Sequence, residues 1–154
     1  MQRYVGSLCS SLLIILLAFA GCAETSQSPP ASTSPGGASL YDRLGGKEAI
    51  TAVVDDFVAR VAADNRINSR FANTNIPRFK MLLADQICQA SGGPCTYPGR
   101  DMRTAHAGMA ITNADFDALV GDLVATLNKF GVGEREKNEL LAVLGPMKKD
   151  IVTR

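Results

Sequence analysis

Apolar residues recur at helical spacing in four separate stretches of this chain. Ile50, Val53, Val54, Phe57, Val58 and Val61 stand at offsets 0, 3, 4, 7, 8 and 11, one face of a helix over 47–63. Phe79, Leu82, Leu83, Gln86, Ile87 and Ala90 repeat the spacing within 78–91, and Phe116, Leu119, Val120, Leu123, Val124, Leu127 and Phe130 within 115–130. A weaker stripe, Leu140, Leu141, Leu144, Met147 and Ile151, runs through 134–152, where Gly145-Pro146 should bend the helix. The stops fit as well: Asp64-Asn65, Gly92-Gly93-Pro94, and Gly131 with Gly133. Ser39 with Asp42 and Thr112 with Asp115 are capping pairs, and Gly45-Gly46 ends a short first helix. No alternating strand pattern intervenes. The expectation is an all-α domain with a loop-rich middle at 92–112.

The first stretch does not belong to that domain. Arg3 precedes an uncharged run from Val5 to Gly21 containing Leu12-Leu13-Ile14-Ile15-Leu16-Leu17. A positive start, an apolar run and small residues at its end read as a signal peptide over 1–21. Its end, Phe19-Ala20-Gly21-Cys22, resembles the lipobox of bacterial lipoproteins, with Phe19 where Leu, Val or Ile is usual. That resemblance implies cleavage before Cys22, a lipidated Cys22, and an exported protein anchored by lipid at the cell envelope. An uncleaved anchor and cleavage without lipid are the alternatives. Residues 22–39 are rich in Ser, Thr, Pro and Gly and form a flexible linker, which leaves 40–154 as the folded domain. The chain's net charge of +1 argues against nucleic acid as a partner.

The sequence has 1 His, His106, within Asp101-Met102-Arg103-Thr104-Ala105-His106-Ala107-Gly108-Met109. One histidine excludes His-His metal pairs and two-histidine zinc sites. No nucleophile turn, P-loop, GxGxxG or HExxH is present. A lone His is often a surface or capped residue without a role. The cofactor that needs a single protein ligand is haem, whose porphyrin supplies the other four nitrogens. No CxxCH occurs, which leaves non-covalent haem b.

Leu40-Tyr41-Asp42-Arg43-Leu44-Gly45-Gly46, Phe71-Ala72-Asn73-Thr74-Asn75, Gly92-Gly93-Pro94 with Tyr97-Pro98-Gly99-Arg100, and Met102 to Met109 around His106 form an ordered set. Over about 39–152 the chain resembles the group I truncated haemoglobins, globins built as a two-over-two helical sandwich enclosing haem. The resemblance implies that His106 is the proximal iron ligand and that Phe71 packs on the porphyrin. It implies that Phe57, Phe79, Leu83, Ile87, Met102 and Ile111 line the pocket and that Lys80 lies near the propionates; a solvated helix-surface lysine is the alternative. Relatives commonly carry a hydrogen-bonding Tyr where this chain has Val58, and polar residues where it has Leu83 and Leu82. Gln86 is the polar residue left on that stripe; it either reaches the bound gas or satisfies a backbone group. A missing hydrogen bond of roughly 1–3 kcal/mol predicts O2 release about 5–150-fold faster than in relatives with the Tyr. Ala110 stands where relatives usually have Gly, so the turn after the proximal segment is expected to differ.

Cys88 and Cys95 flank the Gly92-Gly93-Pro94 turn, and export would permit a disulfide between them; two reduced thiols are the alternative. The implied function is reversible binding of O2, NO or CO. NO detoxification with an unidentified reductase, an exported ligand sensor or store, and weak peroxidase chemistry are the competing haem readings. A non-haem interaction module is the remaining one.

Overall fold

The computed structural model describes residues 37–154, and all of its regular elements are helical. The signal peptide, Cys22 and the linker up to residue 36 lie outside the described residues. Ser39 opens α1 (Leu40–Arg43) with a capping box to Asp42, as the spacing predicts. Then come α2 (Gly46–Ala63), a 3-10 turn (Asn68–Phe71), α3 (Ile76–Ala90), α4 (Met102–Ala105), α5 (Asn113–Lys129) and α6 (Glu134–Leu144).

Helix ends follow cap chemistry more than the apolar stripe. α3 starts two residues before the predicted 78 because the Asn75 side chain accepts the Arg78 N–H at 3.0 Å and Pro77 suits a first turn. α5 starts at Asn113 because Thr112 and Asp115 cap each other's backbone. The predicted 134–152 helix is broken: a 3-10 turn at Gly145–Met147 separates α6 from α7 (Lys148–Ile151), at Pro146, which has no N–H to continue the ladder.

α2 packs against both α3 and α5, burying Ile50, Val54, Phe57, Val58 and Val61 against Ile87, Leu123 and Leu127. Truncating one such side chain to Ala typically costs about 2–5 kcal/mol. Arg43 of α1 pairs with Glu136 (3.0 Å) and Glu139 of α6 and ties the first helix to the sixth. Among the described residues no helix is long and apolar enough to cross a membrane.

Candidate functional site

His106 is the C-cap of the four-residue α4, whose start Asp101 holds by accepting the Thr104 N–H at 2.9 Å. That bond keeps the Asp101 carboxyl below its ordinary range. The Met102 carbonyl accepts the His106 backbone N–H at 3.1 Å and also faces the histidine ring. The His106 ring Nδ1 lies 2.8 Å from the Met102 carbonyl oxygen. A carbonyl can only accept, so Nδ1 carries a proton, and the neutral ring in this tautomer has its lone pair on Nε2. His106 is half-buried, on the wall of a cavity of about 390 Å³.

The cavity is mostly apolar. Phe57 of α2 and Phe79, Leu82, Leu83 and Ile87 of α3 line one part of it; Phe116, Leu119 and Leu123 of α5 line another. Phe71, at the end of the 3-10 turn, joins Phe79 with ring centroids 5.5 Å apart. Arg70 fixes that turn to the segment after His106, donating to the Met109 carbonyl and to Asp115 Oδ2, each at 2.9 Å. The Asp115 carboxyl is held below its usual range by the Thr112 backbone N–H, then by the Thr112 hydroxyl and Arg70.

Of the residues named from sequence, Phe57, Phe71, Phe79, Leu83, Ile87, Met102 and His106 border this cavity, and so does Gln86. Ile111 borders a smaller adjoining cavity of about 60 Å³ that also touches His106. Two do not reach the cavity. Val58 is buried in the core cluster, one helical step of about 100° round from Phe57. Lys80 of α3 pairs with Asp55 of α2 at 3.0 Å. The cations on the cavity are instead Arg78 and Arg100, for which no carboxylate partner occurs among the described residues. Arg78 could have been found by its place one residue before Phe79 on the apolar stripe. Nothing in the sequence marks Arg100.

Gln86 borders the cavity and also meets two thioether sulfurs. Its amide Nε2 donates to Met102 Sδ at 3.3 Å and Met147 Sδ at 3.5 Å, so it reaches toward α4 and the turn before α7. Cys88 and Cys95 are bridged, with Cα atoms 5.7 Å apart. Ala110 has φ +51°, the one non-glycine residue in the left-handed region among those described. No group of three or more His, Cys, Asp or Glu side chains converges among the described residues, so His106 stands as a single nitrogen donor.

This arrangement can hold a flat apolar ligand carrying acidic groups at one edge and an atom that accepts a nitrogen lone pair. The bacterial-like globin family matches residues 39–153. A group 1 truncated haemoglobin of Mycolicibacterium paratuberculosis is 37% identical over 116 residues, covering 75% of this chain and 85% of the relative. One from Tetrahymena pyriformis is 36% identical, covering 73% and 93%. Its crystal structure in the Fe(III) form superposes with a TM-score of 0.73 over 76% of this chain and all of that one, at 35% identity. A Synechococcus 2/2 haemoglobin, solved in the cyanomet state with covalently attached haem, gives 0.71 at 35% identity, covering 76% and 100%. The helices, the cavity and the sequence agree: the chain belongs to the bacterial-like globins and is a relative of the group 1 truncated haemoglobins.

Proposed function

We infer that the chain binds haem b non-covalently through His106 and reversibly binds diatomic gases, O2 and also NO or CO, at the haem iron. The observation that carries this is the tethered His106 ring, with Nδ1–H on the Met102 carbonyl and Nε2 free on an apolar cavity. When bound, haem would supply an iron that His106 Nε2 would hold and that would take up the gas. The residues present fit that group. The volume of about 390 Å³ is within the usual range of ligand cavities, ~300–1,000 Å³.

Each part of the wall has a task. The Nδ1–H bond orients the imidazole and makes Nε2 a better donor. Phe71 and Phe79 offer ring surface to a flat macrocycle, and Leu82, Leu83 and Ile87 keep water out. Arg78 and Arg100 border the cavity and can face the propionates, a role that the Asp55 pairing of Lys80 leaves open.

Adding haem to the purified full chain should produce a Soret band that His106→Ala shifts or abolishes. Absence of the band would sink the reading and leave the interaction module. Stopped-flow mixing of the oxygenated protein with NO separates storage or sensing from NO turnover, since only turnover yields nitrate stoichiometrically.

The start of the chain supports export with a lipid anchor at the envelope. Arg3, the apolar run and Phe19-Ala20-Gly21-Cys22 are the features in its favour. Mass spectrometry of the cell-derived protein should find a diacylglyceryl mass on an N-terminal Cys22. An intact residue 1 would refute processing.

A further inference from the structure

The segment between α3 and α4 is fastened at several points. Cys95 is bonded to the wholly buried Cys88, near the end of α3. Two residues on, the Tyr97 backbone N–H donates to Gln89 Oε1 at 2.5 Å. The Tyr97 hydroxyl donates to the Arg100 carbonyl at 3.0 Å. A Cβ at Gly99 would lie 2.2 Å from that hydroxyl, so only glycine lets the ring fold back on the chain. Gly93 acts similarly beside the bridge, where a Cβ would lie 2.7 Å from Cys88 Sγ. Burial keeps the Tyr97 phenol above its ordinary pKa, and so protonated as the donor. The segment fastened in this way carries Tyr97 and Arg100 to the cavity wall, and the Arg100 guanidinium has no carboxylate partner among the described residues.

We propose that the Cys88–Cys95 disulfide is a positioning device for Arg100, holding that guanidinium at the cavity, where it grips an acidic group of the ligand. This rests on the haem reading, in which the acidic groups are the propionates. The bridge closes the loop covalently and removes most of its freedom. Without it, beyond Gly93 the Tyr97–Gln89 bond is the one polar tie of this segment to α3 among the described residues, a single neutral hydrogen bond that competes with water. Arg100 then samples positions away from the cavity, and its effective concentration at the propionate falls.

The test measures haem release from the full chain to an excess of haem-free acceptor globin, followed in the Soret band. The bridge is removed in two ways. One is Cys95→Ser, with helical content checked by circular dichroism. The other is a water-soluble phosphine on the wild type: phosphorus attacks one sulfur, the S–S bond breaks, and water gives its oxygen to phosphorus and its protons to the two thiols. Both treatments should speed release about tenfold, the loss of one charge-assisted contact. Arg100→Gln should release as fast, and adding Cys95→Ser to it should change nothing further, whereas Arg100→Lys should keep its dependence on the bridge. Multiplying effects in the double variant would overturn the proposal, because the bridge would then act through general stability. So would unchanged release without the bridge. A chain that takes up no haem at all would refute the haem reading instead.

Discussion

Replacing Leu83 by Gln tests whether the gas side of the cavity lacks a hydrogen-bond donor. Leu83 is half-buried on α3 and borders the cavity, while Val58, at the position where relatives carry Tyr, is apolar and turned into the core. Gln86 has its amide Nε2 within 3.3 and 3.5 Å of two thioether sulfurs, one of them on Met102, whose carbonyl also faces the His106 ring. It therefore leans toward the proximal side of the site. The Tyr97 hydroxyl is committed to the Arg100 carbonyl. With Gln86 and Tyr97 both committed and Val58 unable to donate, bound O2, which is polarised toward superoxide, forgoes a stabilisation of about 1–3 kcal/mol. That corresponds to about 5–150-fold in release rate. Leu83→Gln should recover the lower end and slow O2 release at least about fivefold in a CO-displacement stopped-flow experiment. Release of the less polar CO should change less. Gln86→Leu should alter O2 release by less than about twofold, since the weak sulfur contacts are all it loses. The reasoning is refuted if Gln86→Leu speeds O2 release tenfold, because Gln86 would then be the donor.

Two further outcomes concern stability. Ala110→Gly should stabilise the protein by about 0.5–1 kcal/mol in urea unfolding, since a left-handed Ala costs roughly 1–2 kcal/mol and part of the relief is lost to the greater freedom of the unfolded glycine; destabilisation would show that the Ala110 methyl makes contacts worth more. Asp122 is 8% exposed with Oδ2 unpartnered, and burial, then the charge of Asp64, pushes its pKa up, while Arg66 holds Asp64 at about 2. An acid with a raised folded-state pKa weakens the fold as pH rises from its ordinary value of 3.8 through the raised one. Asp122→Asn should therefore gain about 1–2 kcal/mol at pH 7, with the gain vanishing below about pH 4; a gain equal at both pH values would exclude titration as the cause.

The capped ends of α1 and α5 and the apolar faces of α2, α3 and α5 were legible because cap bonds and helical periodicity join residues a few positions apart. His106 was legible by count and by the ordered motifs around it. For Lys80 the sequence did not show its pairing with Asp55: Arg78 is two residues earlier, about 200° round the helix, and so borders the cavity where Lys80 does not. Val58, one step round from Phe57, is likewise in the core cluster and not on the cavity.

What the sequence determined alone was the helical class, the cap positions, a single nitrogen donor and a chain able to close one bridge in the folded domain. The tertiary structure decided which part of each apolar face is covered and which is left to line a cavity. It also decided that Gln86 meets Met147, 61 residues away, and that Arg100 rather than Lys80 is on the cavity. Periodicity marks a face as apolar but carries no information about its partner, because that depends on contacts between residues far apart in the chain. The same holds for His106: composition shows that it is the sole histidine, and only the geometry of a four-residue helix ties one ring nitrogen and leaves the other free.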